Sequence, residues 1–114
     1  MPPHAALYRW DELPLEKVTE MVARKTILST GMQLTQAYFK KGAIVPRHQH
    51  NSGIIVYVLQ GAIRFRLGTE ETTVREGEVV VIPARILHHC ESLDDSFVLS
   101  VVSDPDPMRD APTA

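Results

Sequence analysis

The chain has 114 residues, a length that suits one domain with one core. A hydrophobic fraction of 44% with 23% charged residues excludes a disordered, collagen-like or coiled-coil chain. Twelve basic against 14 acidic residues, a net charge of −2, exclude the basic footprint of a nucleic-acid binder.

In chain order, Met1-Pro2-Pro3-His4 shows no charged-then-apolar leader pattern. Leu15, Val18, Met21 and Val22 fall at helical spacing, so a short helical turn is possible before Met21. The β-branched run that follows predicts extended chain from Val22 to Leu28. Met32 to Lys40 reads as a strand ended by Lys41-Gly42. His50-Asn51-Ser52-Gly53 is a turn cluster, and Ile54 to Gln60 is the strongest strand. After Gly61, the residues Ile63, Phe65 and Leu67 alternate with Arg64 and Arg66, the period-2 pattern of one dry and one wet face. Thr72 to Arg75, Val79 to Ile82, Ile86 to Glu91 and Phe97 to Val102 complete the series. Six to eight short strands at this spacing predict an all-β sandwich or barrel. The boundaries expected are an extension over 1–30 that contributes edge strands, a barrel over 31–103, and a loosely held tail over 104–114.

In Ile54 to Leu59 both parities are apolar, and Val79 to Ile82 and Val98 to Val102 are similar. A strand on the skin of a monomer should show one polar face. Two dry faces point to a homodimer, the other explanation being a second sheet or connections lying over the first. The longest apolar run, Ile54 to Leu59, is too short to span a bilayer as a helix. The single cysteine, Cys90, cannot form an internal disulfide. These features read as a cytoplasmic protein with neither nucleic-acid nor membrane partners.

Three of the five histidines sit in an interpretable frame. On a strand, His48 and His50 share a face, about 6.5–7 Å apart along the chain. Two such imidazoles can chelate one metal ion, each needing a nitrogen about 2.0–2.2 Å from it. His88 arrives on a later segment bounded by Pro83, which a barrel could lay beside the first. A His-x-His pair alone is a weak signal, and surface or hydrogen-bonded histidines often look the same.

The surrounding spacing is more specific. Gly42, five residues, His48-Gln49-His50, the apolar strand and Gly61 resemble the first motif of the cupin superfamily, G-x5-H-x-H-x3-4-E-x6-G. Gly77, five residues, Pro83, four residues and His88 resemble the second, G-x5-P-x-G-x2-H-x3-N. The resemblance covers Gly31 to Val102 and implies a double-stranded β-helix, the jelly-roll barrel, with a metal inside on His48, His50 and His88. Gly61 and Gly77 fall where strands must reverse, a role for a residue free to take positive φ. Pro83 fits only a strand end or edge.

The departures bear on function. The acidic ligand of the first motif would fall at Ile54 or Ile55, both apolar; the second-motif glycine is Arg85 and its closing Asn is Ser92. Three neutral imidazoles with open positions suit one divalent transition metal ion per chain, Fe, Mn, Ni, Zn or Cu. Cys90 would share the face of His88, either as a soft fourth ligand or, more commonly for a lone cysteine, as a small buried hydrophobe. Gln36, Tyr38 and Arg47 are candidates for the cavity mouth, while Ile54, Val56 and Val58 would line an apolar pocket. His89 points away, and Arg64 with Arg66 reads as a solvated face.

Among cupins the chain is similar to small single-domain proteins acting on unsaturated uronates. The likeness rests on Arg24-Lys25-Thr26-Ile27-Leu28, Phe39-Lys40-Lys41-Gly42-Ala43, His48-Gln49-His50 and Tyr57-Val58-Leu59-Gln60-Gly61-Ala62. That group carries a glutamine at the position of Ile54, and an acidic and an aromatic residue at those of Ser100 and Val102. Its reaction is therefore not carried over. The expected function is metal-dependent chemistry on a small carbonyl or carboxylate compound, of dioxygenase or isomerase/lyase type, with unknown catalytic residues. The alternative is a non-enzymatic barrel that binds a small ligand and has a degenerate or absent metal site.

Overall fold

The structure, a computed structural model, describes residues 5–103; the expected tail over 104–114 lies outside the described residues, as do Pro2, Pro3 and His4. A 3-10 turn over Trp10–Glu12 precedes ten strands: β1 (Glu16–Lys17), β2 (Val22–Ser29), β3 (Met32–Phe39), β4 (Ile44–His48), β5 (Ile54–Gln60), β6 (Ala62–Leu67), β7 (Glu70–Arg75), β8 (Val79–Ile82), β9 (His88–Ser92) and β10 (Ser96–Ser103). They form two antiparallel sheets. The first has the order β1-β2-β3-β10-β5-β8 and the second β4-β9-β6-β7. The chain is all-β, as its pattern of short apolar runs predicts.

Two details differ from the sequence expectation. Strand β4 emerges as a separate element, and the helical spacing over Leu15 to Val22 is not used for a helix. Instead the Val18 and Thr19 amides donate to the Val22 carbonyl at 2.9 and 3.1 Å, and Glu16 pairs with Arg24 across a hairpin. Those hairpin bonds consume the donors that a helix would need.

Between the sheets lies the core. Its inward positions follow strict alternation: Ile54, Val56 and Val58 on β5, Val98 and Val102 on β10, Ala37 and Phe39 on β3, Ile63 and Phe65 on β6. All are at most 3% exposed, and each valine, isoleucine or phenylalanine among them contributes on the order of 1.5–3 kcal/mol on burial. The crossing from the first sheet to the second runs through Gly61, with φ +88°. There a Cβ would stand 2.2 Å from Ser96 Oγ and 2.6 Å from the Asp95 carbonyl oxygen, so only glycine fits. Ser96 Oγ in turn accepts from the Ala62 amide at 3.1 Å, which ties β6 to the start of β10.

One end of this sandwich differs from the other. At the end where β5 begins, the second sheet presents His48 opposite His88 and Leu67 beside His88. At the far end the interior is closed by Phe39 and Val22 with Ser92 and Ser96.

Candidate metal centre

Strand β4 is an edge strand of its sheet, which is where a proline can be accommodated, and Pro46 occupies its middle. Val45 faces the core at 3% exposure. Strict alternation from Val45 would turn Arg47 inward and His48 outward. A register irregularity between Val45 and His48 reverses this, pairing His48 directly with His88 and leaving Arg47 exposed. Re-aiming a side chain is the characteristic effect of a β-bulge. His50 follows in the loop after β4 and is 2% exposed; His88 opens β9 and is 1% exposed.

The three rings converge. Their centroids are 4.9 Å apart for His48 and His50, 4.3 Å for His48 and His88, and 5.3 Å for His50 and His88. One nitrogen from each lies within 4.8 Å of the others, the one such group of His, Cys, Asp or Glu among the described residues. Two backbone carbonyls orient the set. His48 Nδ1 is 2.8 Å from the Pro46 carbonyl oxygen, and His88 Nδ1 is 2.9 Å from that of Ile86. A carbonyl can only accept, so in both rings Nδ1 carries the proton and Nε2 keeps its lone pair. Nε2 is buried in all three histidines. This tautomer, fixed by a carbonyl behind the ring, is what a metal-ligating imidazole requires. The donor set therefore fits a metal ion.

His50 is held from the opposite loop. Its carbonyl accepts from the Arg85 amide at 2.8 Å. Arg85 itself takes φ +63°, the only non-glycine residue at positive φ among the described residues. A left-handed conformation explains why a glycine suits this position, and an arginine there carries local strain on the order of 1–2 kcal/mol.

The remaining sequence candidates separate by parity. Ile54 faces inward at 1% exposure, so an apolar side chain stands where the first cupin motif has a carboxylate ligand. Cys90 also faces inward, two residues beyond His88, and joins the hydrophobic core at 2% exposure. Burial pushes its thiol up to about 12, partly offset by a hydrogen bond with the Val45 backbone. Gln36 and Tyr38, expected at the cavity mouth, lie on the outer face of the first sheet, with the Tyr38 hydroxyl donating to Gln36 Oε1 at 3.0 Å. Tyr38 stacks on Phe97 there, at 4.7 Å between centroids. The inward residues of β3 are instead Gln33, Thr35, Ala37 and Phe39. Gln33 and Thr35 are buried polar residues for which the sequence analysis offers no role, and Ser100, which stands where the uronate-acting group carries an acidic residue, is buried beside them. Their signal was the alternation of β3 and β10, read from Ala37 and Val98.

Comparisons with known proteins bear on the fold that carries these residues. The chain superposes on KdgF from Halomonas sp. with a TM-score of 0.82 at 26% identity, covering 90% of this chain and 96% of that one. An RmlC-like cupin from Shewanella frigidimarina gives the same TM-score at 14% identity, over 90% and 93% of the two chains. Bacillus subtilis oxalate decarboxylase, a protein with Mn(II) centres, gives 0.76 at 18% identity, over 89% of this chain and 31% of that one. No curated protein matches the chain in sequence. The Cupin domain family matches residues 36–103, more than half of the chain, a span that contains both histidine segments and all strands from β4 onward. On that match, and on the two-sheet fold around three convergent histidines, the chain belongs to the cupin family.

Proposed function

We propose that the protein binds one divalent transition metal ion on Nε2 of His48, His50 and His88 and acts with it on a small carbonyl or carboxylate compound. The observation that carries this reading is the convergence of two buried imidazoles and one half-buried one from two separate segments, two of the three held in the ligating tautomer by backbone carbonyls. A bound ion would supply Lewis-acid polarisation of a ligand oxygen. The chain's own residues do the rest. Ile54, Val56, Ile82 and Val102, each at most 1% exposed, form a dry wall that excludes water. Pro46 and Ile86 carbonyls keep the rings oriented, and the bond from Arg85 fixes the His50 backbone.

A second reading is a barrel that binds a small ligand without turnover. It is favoured by the absence of any buried Asp or Glu among the described residues, which leaves no carboxylate for proton transfer inside.

Elemental analysis of the untagged protein beside His48→Ala and His88→Ala tests the first reading. About one metal ion per chain, lost in both variants, is expected. Wild-type protein that takes up no transition metal on reconstitution overturns it and leaves the second.

We further propose that the protein is a homodimer joined through the outer face of the first sheet. One rung across five strands, Ile27–Leu34–Val101–Ile55–Val81, is entirely apolar. Val101, Ile55 and Val81 are 38, 47 and 64% exposed. The neighbouring rung holds Gln36, Leu99, Tyr57 and Val79 beside Lys25, whose Nζ is held by the Trp10 carbonyl at 2.6 Å. At about 4.8 Å per strand and 3.3 Å per residue, four strands of about six residues and the four residues of β8 present roughly 450 Å² in projection. Accessible area exceeds projected area, so such a face approaches the ~800 Å² per partner of a stable association.

A further inference from the structure

The inner wall of the first sheet is not uniformly dry. Thr26 on β2 and Ser100 on β10 flank Thr35 on β3 from either side, and Gln33 donates to Thr35 Oγ1 at 3.1 Å. Thr35 and Ser100 are 1% exposed. Thr26 Oγ1 and Ser100 Oγ are buried with no hydrogen-bond partner among the described residues. Two residues from Thr26 on the same face of β2 stands Arg24, its side chain 13% exposed. Its Nη2 donates to Glu16 Oε1 at 3.0 Å, while Nε and Nη1 are buried with no partner among the described residues. A buried polar atom left unsatisfied is costly, and four on one wall call for an explanation beyond packing. Valine or alanine would fill the places of Thr26 and Ser100 without that cost.

We propose that this wall recognises the ligand: Arg24 receives a carboxylate through Nε and Nη1, and the Thr26 hydroxyl bonds a ligand hydroxyl. Residues two apart on a strand are about 6.5–7 Å apart, so the fitting compound is a short hydroxylated carboxylate of about four carbons. The guanidinium fork gives directional pairing with a carboxylate, and the hydroxyl can donate or accept. The inference rests on the small-molecule reading of this interior and not on the metal.

Calorimetric titration of the full chain with β-hydroxybutyrate, its methyl ester and butyrate tests it. β-Hydroxybutyrate is expected to bind more tightly than either the ester, which lacks the charge, or butyrate, which lacks the hydroxyl. Arg24→Met should weaken it by about tenfold or more and abolish the preference over the ester. Thr26→Val should weaken β-hydroxybutyrate several-fold and leave butyrate unchanged. Glu16→Gln removes the ion pair but keeps the guanidinium, so carboxylate binding should persist, and Arg24→Lys covers the case in which Arg24→Met does not fold. Binding should also survive in His48→Ala, so failure of the metal reading is distinguishable from failure of this one. Equal affinity for acid and ester, unchanged binding in the Arg24 variants, or no detectable binding overturns the proposal.

Discussion

The two outer faces of the sandwich are built from opposite chemistries. On the second sheet, Arg64 lies beside Glu91 and Arg66 beside Glu71, each pair set by cross-strand register and joined by an ion pair. His89 and Ile44 complete this shallow groove. On the first sheet the corresponding surface is an apolar rung five strands wide with no charge in it. A face of paired charges is stable in water as it stands, whereas an exposed apolar face of this width is the surface that the proposed dimer would cover. The comparison teaches that apolar character along a strand does not by itself tell core from exposed surface. Ile55 and Ile54 are adjacent, equally apolar, and 47% against 1% exposed.

The largest test of that contrast is a charge on the apolar face. Ile55→Asp with Val81→Asp should weaken self-association by about a thousandfold, on the order of 4 kcal/mol, because each charge would be buried unpaired in a two-fold interface. Light scattering over a dilution series reads this, and a wild-type protein that stays monomeric at high concentration breaks the comparison. Next comes the junction between the two sheets. Gly61→Ala forces a Cβ against Ser96 and Asp95 at φ +88°, and should cost about 3 kcal/mol in chemical denaturation. Arg85→Gly acts in the other direction: relieving φ +63° should leave stability unchanged or raise it by about 1 kcal/mol. The smallest effect is expected on the charged face. Glu91→Gln should change stability by less than about 1 kcal/mol, in a salt-sensitive way, and leave the oligomeric state as it was.

Much of the fold was legible in the chain because a strand's side-chain period is local. Ile54–Gln60 and Val79–Ile82 were read to the residue, since apolar runs bounded by turn residues leave little choice. Gly61 and Gly77 were legible as reversals, and both take positive φ. The approach of His48, His50 and His88 could be expected only through a motif, because nothing local relates His88 to residues some forty positions earlier. Gln36 and Tyr38 were misplaced for a different reason. Their strand begins with Met32, apolar yet exposed, so the inward parity could not be assigned before the neighbours of β3 were known.

By itself, then, the sequence determined which segments are strands, where they reverse, and which residue types could meet a metal, all consequences of short-range backbone and side-chain chemistry. Only the tertiary structure decided which face of each strand is inside. It also decided that a bulge at Pro46 and Arg47 turns His48 inward, and that Gln33, Thr35, Ser100 and Arg24 share one wall. Those outcomes depend on register between strands distant in sequence, and register is settled by the packing of the whole sheet rather than by any one segment.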